Sequence, residues 1–345
     1  MQSEAASRYS RQTLLPEIGI AGQERLLASS VAVIGCGALG TVIASGIVRA
    51  GVGRVRIVDR DYVELNNLQR QVLFDEDDIA EGLPKAIAAA RKLSKVNSHV
   101  DIDPIVADVN PDNVERMIDG VDLVLDGTDN FETRLLVNDA CVKHTIPWIY
   151  GAVISTYGMT MSIVPHQTMC FRCFVPEMPL PGSVPTCDTV GVLGAAANVV
   201  GSLEVAQALR LLTHREEPVQ PRLIYLDVWE GIWEEMEMHK QETDCPACDL
   251  GRYEFLEAQE GHRAITLCGR DAVQIRPRVG AGRPFSFAQL AERLQSVGEV
   301  QYNDFLLRFR TDHHELTIFP DGRTIVKGVG DEAEAKSMYA RYVGL

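Results

Sequence analysis

Hydrophobic and polar positions alternate in blocks along the first part of the chain, and these blocks predict strands and helices in turn. Short apolar runs that predict buried strands are SVAVIG, RVRIVD, residues 100–107, VDLVLD and PWIYGAVI. Residues 83–97 and 131–144 predict helices between these runs, and residues 8–29 predict a helical arm before the first strand. Strands that alternate with helices predict a mostly parallel, doubly wound sheet with ligands at the strand carboxyl ends.

The sheet is predicted to continue in antiparallel strands. MTMSIV extends it, RLIYLDVW and WEEMEMH form a closing pair, and residues 191–213 predict an alanine-rich helix. Residues 178–189 are rich in proline and short of regular pattern, so they predict a mobile crossing loop. The predicted fold class is therefore α/β, a Rossmann-like mostly parallel sheet with an antiparallel extension.

The pattern changes near Gly251. Residues 262–345 predict two strands, a helix, two further strands across a PDG turn and a terminal helix. We therefore divide the chain into a domain of residues 1–250 and a small α+β C-terminal module of residues 262–345.

Composition narrows the class of protein. Lysine and arginine number 33 against 48 aspartate and glutamate, a net charge of −15 that disfavours a nucleic-acid surface. The N-terminal MQSEAASRYSRQ lacks the basic and apolar regions of a secretory signal. The uncharged stretch Val31–Val48 is broken by glycines, so it predicts a βα unit and not a membrane span. These features predict a cytoplasmic protein with no membrane or nucleic-acid partner.

A glycine turn follows the first strand. Gly35, Gly37 and Gly40 form G-x-G-x-x-G between that strand and a helix, which allows the backbone to approach phosphates closely. Asp59 ends the next strand, where an acid can hold ribose hydroxyls. The pattern predicts a nucleotide site. Dehydrogenases share it, so an NAD-dependent oxidoreductase and a purely structural turn both stay open at this point.

Four of the eight cysteines form two Cys-x-x-Cys pairs. They are Cys170, Cys173, Cys245 and Cys248. Two short-spaced pairs favour a closed tetrahedral Zn²⁺ site, which has no open position for substrate and is therefore structural. A redox dithiol and a site that has lost its metal are the alternatives.

Several motifs occur in the order found in one protein family. They are RYSRQ at 8–12, GCGALG at 35–40, DRDYVELNNLQRQ at 59–71, GLPK at 82–85, DGTDN at 126–130 and TCDTVGVLG at 186–194. Together with both cysteine pairs, they make residues 8–250 resemble the ThiF/MoeB/HesA family, the prokaryotic relatives of ubiquitin-activating enzymes. Ala38 stands where that family usually has a second glycine, which is expected to narrow the phosphate turn.

The resemblance implies an ATP-dependent adenylyltransferase. Such an enzyme uses ATP and Mg²⁺ to form an acyl-adenylate on the C-terminal Gly-Gly carboxylate of a ubiquitin-like sulfur-carrier protein, and it releases pyrophosphate. Sulfur incorporation of the thiamine-thiazole or molybdopterin type follows, and the C-terminal extension favours the thiazole branch. The resemblance also implies a homodimer. A catalytically silent dimeric scaffold is an alternative, and the C-terminal module could dock the carrier, support the dimer or simply stabilise the chain.

The resemblance further implies roles for single residues. Arg70 and Lys85 are the cations for the triphosphate, because adenylation depends on charge stabilisation and positioning. Arg11, on the arm, reaches phosphates bound by the partner subunit. Asp129 is the Mg²⁺-linked acid, and Asn67 contacts phosphate or ribose. The alternatives are surface solvation for Arg70 and Lys85 and a salt bridge within the arm for Arg11. For Asp129 the alternative is a helix cap, and for Asn67 it is a turn hydrogen bond.

Cys187 stands alone in the predicted crossing loop. In the family, this position takes part in sulfur transfer or in covalent carrier intermediates, which implies a nucleophilic thiol and a sulfur-donor protein as a further partner. The neighbouring Asp188 opposes formation of the thiolate, so a bystander role stays open.

Overall fold

The computed structural model describes residues 7–179, 187–214, 216–240, 244–257, 264–267, 272–275 and 286–343. The chain divides into two compact units, Met1–Ala258 and Gln259–Leu345. Each unit has its own sheet and its own buried core. Within the described ranges, every helix is too short or too polar to cross a membrane.

The first unit is built on an eight-stranded sheet. Its strands are β1 (Ser30–Ile34), β2 (Arg54–Asp59), β3 (Asp101–Val106), β4 (Leu123–Asp126), β5 (Trp148–Ile154), β6 (Tyr157–Ile163), β7 (Arg222–Asp227) and β8 (Ile232–Glu237). The spatial order is β3-β2-β1-β4-β5-β6-β7-β8, parallel from β3 to β5 and antiparallel from β5 to β8. This arrangement confirms the predicted fold class. Because the strand order reverses between β1 and β4, a ligand crevice is expected at their carboxyl ends.

Helices cover both faces of this sheet. They are α1 (Gly19–Ala28), α2 (Ala38–Ala50), α3 (Glu76–Ala80), α4 (Lys85–Val96), α5 (Val114–Ile118), α6 (Phe131–Lys143), α7 (Phe171–Phe174), α8 (Cys187–Val190), α9 (Gly194–Thr213) and α10 (Glu254–Glu257). On β5, the Tyr150 ring lies 5.3 Å from the Arg134 guanidinium of α6, whereas Gly151 contacts Glu204 of α9. Successive strand residues point to opposite faces, so α6 and α9 cover opposite faces of the sheet.

Two glycines let α2 and α9 pack closely. A Cβ atom at Gly46 would lie 2.7 Å from Val205 Cγ2, and one at Gly201 would lie 2.9 Å from Val42 Cβ. Both distances are shorter than ordinary van der Waals contact. This packing fixes the direction of α2, and with it the turn that leads from β1 into the helix.

The predicted helical arm is wrong for residues 9–18, which form turns, and α1 begins only at Gly19. Pro16 disfavours the helical conformation in the residue before it, and Gly19 has a φ of +58°. The arm is held instead by Tyr9, which is buried. The Tyr9 hydroxyl accepts a hydrogen bond from Asn97 Nδ2 at 2.8 Å, and its ring fills the space above Gly51.

The second unit contains a six-stranded antiparallel sheet. Its elements are β9 (Ala264–Leu267), β10 (Ala272–Ile275), α11 (Phe287–Leu294), β11 (Glu299–Tyr302), β12 (Leu307–Arg310), β13 (Glu315–Ile318), β14 (Thr324–Lys327) and α12 (Glu332–Tyr342). The strand order is β11-β12-β13-β14-β10-β9. Residues 307–327 hold three strands where the sequence predicts two, because the turn at residues 311–314 contains neither glycine nor proline.

Candidate functional site

The glycine turn after β1 is shaped by close backbone contacts. A Cβ atom at Gly35 would lie 2.6 Å from the Gly127 carbonyl oxygen, and one at Gly40 would lie 1.9 Å from the Gly35 carbonyl oxygen. Both distances are too short for any side chain, and Gly35 also has a φ of +89°. The turn after β1 and the loop after β4 therefore contact each other, and only glycine permits this contact.

Gly37 differs from the other two glycines, because space lies in front of it. A Cβ atom there would have Gln71 Nε2 as its nearest neighbour, at 3.9 Å. Gly37 precedes α2, whose first turn contains no acidic residue. The free N–H groups and the dipole of a helix N terminus attract anions, so this space suits a phosphate group.

Asp59, at the end of β2, holds the glycine turn. Its Oδ2 accepts the Cys36 N–H at 2.6 Å, and its Oδ1 accepts the Asp61 N–H at 2.7 Å. Burial raises the pKa of this carboxyl, while the Lys85 ammonium lowers it. A carboxylate has about four lone-pair sites, so two further acceptor positions exist for ribose hydroxyls. Ribose binding by Asp59 stays a prediction.

Lys85 begins α4 and is buried, with 3% of its surface exposed. Its Nζ lies 3.3 Å from Asp61 Oδ2, and its backbone N–H donates to the Asp61 carbonyl at 2.8 Å. A buried ammonium needs a partner to remain charged, and Asp61 supplies one. The predicted surface-solvation alternative is therefore wrong for Lys85, whereas its contact with a triphosphate stays a prediction.

The loop after β2 contains a short 3₁₀ helix at Leu65–Asn67. The buried Asn67 side chain accepts the Glu64 N–H at 3.1 Å and donates to Asn66 Oδ1 at 2.9 Å. Arg70 is half-buried, and its Nη1 donates to the Asn66 carbonyl at 2.7 Å. These hydrogen bonds hold the loop in shape. The predicted turn hydrogen bond of Asn67 is confirmed, and substrate contacts by Asn67 and Arg70 stay predictions.

The loop after β4 presents Asp129 to solvent. The capping of α6 is done by Asn130, whose Oδ1 accepts the Thr133 N–H at 2.9 Å. Asp129 Oδ1 accepts a longer hydrogen bond, 3.4 Å, from Asn130 Nδ2. The helix-cap alternative for Asp129 is therefore wrong. An exposed carboxylate beside the glycine turn suits a hard cation such as Mg²⁺ that also binds phosphate oxygens.

Sequence reasoning missed the residues under this loop. Asp126, at the end of β4, is buried and bonded to the buried Arg134 of α6, with Nε to Oδ2 at 2.8 Å. The available signal was an arginine placed eight residues after a strand-end aspartate, on a helix that must pack on the sheet. Arg11, by contrast, is exposed on the arm, and among the described residues it shares no hydrogen bond or ion pair with the crevice.

Cys187 is the first residue of the four-residue helix α8, so its prediction as a loop residue is wrong. Its partly buried Sγ donates to the Val153 carbonyl at 3.6 Å. The helix comes after a stretch with three prolines that biases the sequence towards a loop. The rest of the predicted crossing loop, residues 180–186, lies outside the described residues.

The two Cys-x-x-Cys pairs come together in space. The four Sγ atoms lie within 4.8 Å of one another. Three of the Sγ–Sγ separations are 3.7 Å for Cys170–Cys173, 3.7 Å for Cys170–Cys245 and 3.5 Å for Cys173–Cys248. Tetrahedral Zn²⁺ with bonds of about 2.3 Å requires separations of about 3.8 Å, so the four thiolates fit this ion.

Charged side chains surround the cysteine cluster. Lys240 Nζ lies 3.4 Å from Cys248 Sγ and also pairs with Asp249. The Asp249 carboxylate accepts the Cys245 N–H at 2.9 Å. Four thiolates and one Zn²⁺ carry a net charge of −2, and the Lys240 ammonium reduces it. Such outer contacts orient the ligands and adjust the metal affinity.

Cys245→Ser is expected to remove the metal and to lower the melting temperature by about 5–15 °C, since losing a comparable cross-link costs about 2–5 kcal/mol. Metal analysis of the unaltered protein should find about one zinc per chain. Cys187→Ser is the matched control and should keep both the metal and the melting temperature. Metal-free protein of full stability and activity would rule out a structural zinc site.

Comparisons with known proteins agree with this geometry. The model of the ThiF family matches residues 9–247. The sulfur carrier protein ThiS adenylyltransferase of Bacillus subtilis (strain 168) is 42% identical over 339 residues, which are 98% of this chain and 99% of that protein. The SAMP-activating enzyme E1 of Haloferax volcanii is 40% identical over 250 residues, 72% of this chain and 91% of that protein.

Solved structures show the same fold. Escherichia coli MccB in complex with MccA-N7isoASN superposes with a TM-score of 0.61 at 24% identity, over 71% of this chain and 74% of that one. MccB with ATP gives a TM-score of 0.59, also at 24% identity, over 70% and 74% of the two chains. At this identity, the likeness describes the fold alone.

Proposed function

Because the chain belongs to the ThiF family, we propose that it uses ATP to activate the C terminus of a small ubiquitin-like sulfur-carrier protein. It is an adenylyltransferase, like the B. subtilis protein that it matches over 98% of its length. The observation that carries the proposal is the crevice between β1 and β4, where the open helix N terminus at Gly37 adjoins a loop bearing an exposed carboxylate. A dehydrogenase shares the glycine turn and Asp59, but it gives no reason for NNLQRQ at 66–71, GLPK at 82–85 or the four-cysteine cluster.

ATP binding follows from the groups at the crevice. The N terminus of α2 offers N–H donors to the phosphates, and the unused lone pairs of Asp59 accept the ribose hydroxyls. Lys85 and Arg70 supply positive charge for the triphosphate, Arg70 as a planar fork that bonds two phosphate oxygens at once. Asn67 acts mainly by holding the loop that carries Arg70, through its bonds to Glu64 and Asn66.

The chemical step is a displacement at the α-phosphorus. An oxygen of the carrier's terminal Gly-Gly carboxylate attacks this phosphorus, and the bond to the bridging oxygen breaks as pyrophosphate leaves with the electron pair. No proton transfer is required, so the protein works by positioning the reactants and stabilising negative charge. Asp129 would hold Mg²⁺, which neutralises the phosphate oxygens of the leaving group. The product is a carrier acyl-adenylate.

Carrier-dependent exchange of labelled pyrophosphate into ATP tests this function. We expect exchange with a carrier of the ThiS type, since the full-length relative is named for it, and weaker exchange with a molybdopterin-type carrier. The control is the same carrier without its last glycine, which should be inactive. Tight ATP binding without pyrophosphate exchange on any carrier would indicate a catalytically silent scaffold. Reduction of NAD by the protein would instead support the oxidoreductase interpretation.

A homodimer with shared sites is the second part of the proposal. Arg11 is exposed on an arm that is anchored by Tyr9, outside the crevice. Its action on phosphates therefore requires a second copy of the chain. Arg11→Ala mixed with Arg70→Ala should recover part of the exchange activity, because hybrid dimers contain one site with both arginines. No recovery, with subunit exchange verified by mass spectrometry, would argue against shared sites.

Cys187 is proposed to serve sulfur delivery and not adenylation. Adenylation needs no thiol, so Cys187→Ala should leave pyrophosphate exchange near its original rate. Thiocarboxylate formation should fall, because the partly buried Cys187 Sγ beside Val153 is the proposed nucleophile in sulfur transfer. Its thiolate would attack the outer sulfur of a persulfide on a sulfur-donor protein, and the donor cysteine would leave as a thiolate. The measurement is the carrier mass after incubation with ATP and the donor.

Thr189→Ala is the matched control for Cys187→Ala, because it alters the same short helix α8 without removing a thiol. It should leave the thiocarboxylate yield unchanged. An unchanged yield in Cys187→Ala as well would make Cys187 a bystander and the protein an adenylyltransferase only.

A further inference from the structure

Glu204 is a carboxyl group enclosed within the first unit. It lies on α9 with 0% of its surface exposed, and neither of its oxygens has a hydrogen-bond partner among the described residues. A Cβ atom at Gly151 of β5 would lie 1.9 Å from Glu204 Oε1, so the missing side chain of Gly151 makes the room for this carboxyl. An ionised carboxylate buried without a partner is very unfavourable.

Glu204 is next to the ion pair that supports the loop after β4. Arg134 Nε donates to Asp126 Oδ2 at 2.8 Å, and its Nη2 donates to the carbonyls of Thr128 at 2.7 Å and Gly151 at 2.9 Å. Asp126 Oδ1 in turn accepts the N–H and the hydroxyl of Thr128, at 2.9 and 2.6 Å. Residue 128 directly precedes Asp129, so this network sets the position of the exposed carboxylate.

Three charged or titratable groups lie close enough to Glu204 to interact with it electrostatically, and two of them, Arg134 and Tyr150, belong to the other side of the sheet. They are Asp126 on β4, Arg134 on α6 and Tyr150 on β5. Burial, followed by the charge of Asp126, raises the pKa of Glu204 well above its ordinary value, and Arg134 opposes this. Both acids are buried, and the Arg134 guanidinium is bonded to Asp126 and not to Glu204. Asp126 holds three hydrogen bonds within 3 Å, so Glu204 is the acid that keeps its proton.

The other elements packed on α9 bring no further charge near Glu204 in the described part of the chain. Close to it, α2 and β6 contact the helix through Val42 and Gly158. Helix α1 meets the far end of α9, where Arg25 donates to the Thr213 carbonyl. Besides burial, which is the largest cause of its raised pKa, Glu204 is therefore influenced by the charges of Asp126 and Arg134.

We propose that Glu204 is a positioning residue for the loop that carries Asp129. As the neutral acid it leaves Arg134 bonded to Asp126 and to the carbonyls of Thr128 and Gly151. Its ionisation attracts Arg134 and repels Asp126, which weakens the hold on Thr128 and displaces Asp129. The inference rests on the proposed function, in which Asp129 binds the metal of the adenylation step.

The pH profile of pyrophosphate exchange tests the proposal, with Glu204→Gln as a mimic of the neutral acid at every pH. The ratio of the rate at alkaline pH to the rate at neutral pH should be lower in the unaltered enzyme than in Glu204→Gln, by as much as about 10²-fold, since a displacement of about 1 Å can cost that much. Coincident profiles from folded proteins would overturn the proposal.

Hydrogen exchange at residues 127–130 gives a readout that does not depend on the reaction. At each alkaline pH, these amides should exchange faster in the unaltered protein than in Glu204→Gln, and at pH 6 they should exchange alike. Equal exchange at every pH would also overturn the proposal. The two proteins could differ in amide hydrogen exchange as expected while the unaltered protein catalyses no pyrophosphate exchange with any carrier. That result would refute the proposed function instead. If Glu204→Gln does not fold, Glu204→Met carries the same expectations.

Discussion

Arg70→Ala is expected to slow adenylation by about 10²-fold or more, the loss typical of a removed transition-state charge contact. Arg70 lies in the loop after β2, and its hydrogen bond to the Asn66 carbonyl uses one of its five donors. The side chain is therefore held in one direction and still has donors for phosphate. Steady-state pyrophosphate exchange under saturating ATP and carrier is the measurement.

Arg49→Ala is the matched control for Arg70→Ala. Arg49 is exposed near the end of α2, roughly 17 Å along the helix from its phosphate-facing N terminus. Its removal changes the net charge equally and should leave the exchange rate within about twofold. The exchange rate of Arg70→Lys should lie between those of Arg70→Ala and Arg49→Ala, because an ammonium keeps the charge but cannot bond two oxygens as a fork. An Arg70→Ala enzyme of normal rate would show that Arg70 only shapes its loop.

Asp129→Asn is expected to reduce exchange by about 10²-fold or more and to raise the Mg²⁺ concentration needed for half-maximal rate, because an amide is a weaker ligand for a hard cation. The side chain is exposed and α6 is capped by Asn130, so the melting temperature should hardly change. Titration of Mg²⁺ at fixed ATP, followed by exchange rate, is the measurement.

Asp119→Asn is the matched control for Asp129→Asn. Asp119 is exposed and precedes β4, whereas Asp129 follows it, so the same charge is removed at the opposite end of one strand. The control should show an unchanged Mg²⁺ requirement. If Asp129→Asn also shows an unchanged Mg²⁺ requirement, another residue must be the ligand of the metal.

The crevice could be predicted from the sequence because its parts are dictated locally. A glycine pattern between an apolar strand and a helix constrains the backbone itself, and Gly35 and Gly40 indeed have no room for a side chain. The cysteine pairs are similarly local, because metal-ligand spacing brings two thiols of each pair to one point. The meeting of the two pairs is confirmed by the distance between Cys170 and Cys245.

The rest could not be predicted, because it depends on which segments meet across the fold. In the sequence, Glu204 is an ordinary acidic residue on an alanine-rich helix. Its burial becomes evident only from its contact with Gly151 and its interaction with Arg134 in the structure. Tyr9 likewise looks like part of a helical arm until its hydroxyl is seen to meet Asn97. The prolines before Cys187 predict a loop, although residues 187–190 form a helical turn.

The cysteine cluster also has a topological consequence. A metal ion bound by all four thiolates would close residues 174–244 into a ring that contains α9, strand β7 and the edge strand β8. Closing a ring of that length lowers the conformational entropy of the unfolded chain, which stabilises the folded state by about 4 kcal/mol. The metal would thus join the segment after β8 to the segment after β6, whose Phe171 packs on Trp148 of β5. Chelation should therefore make β7 and β8 the first strands open to proteases.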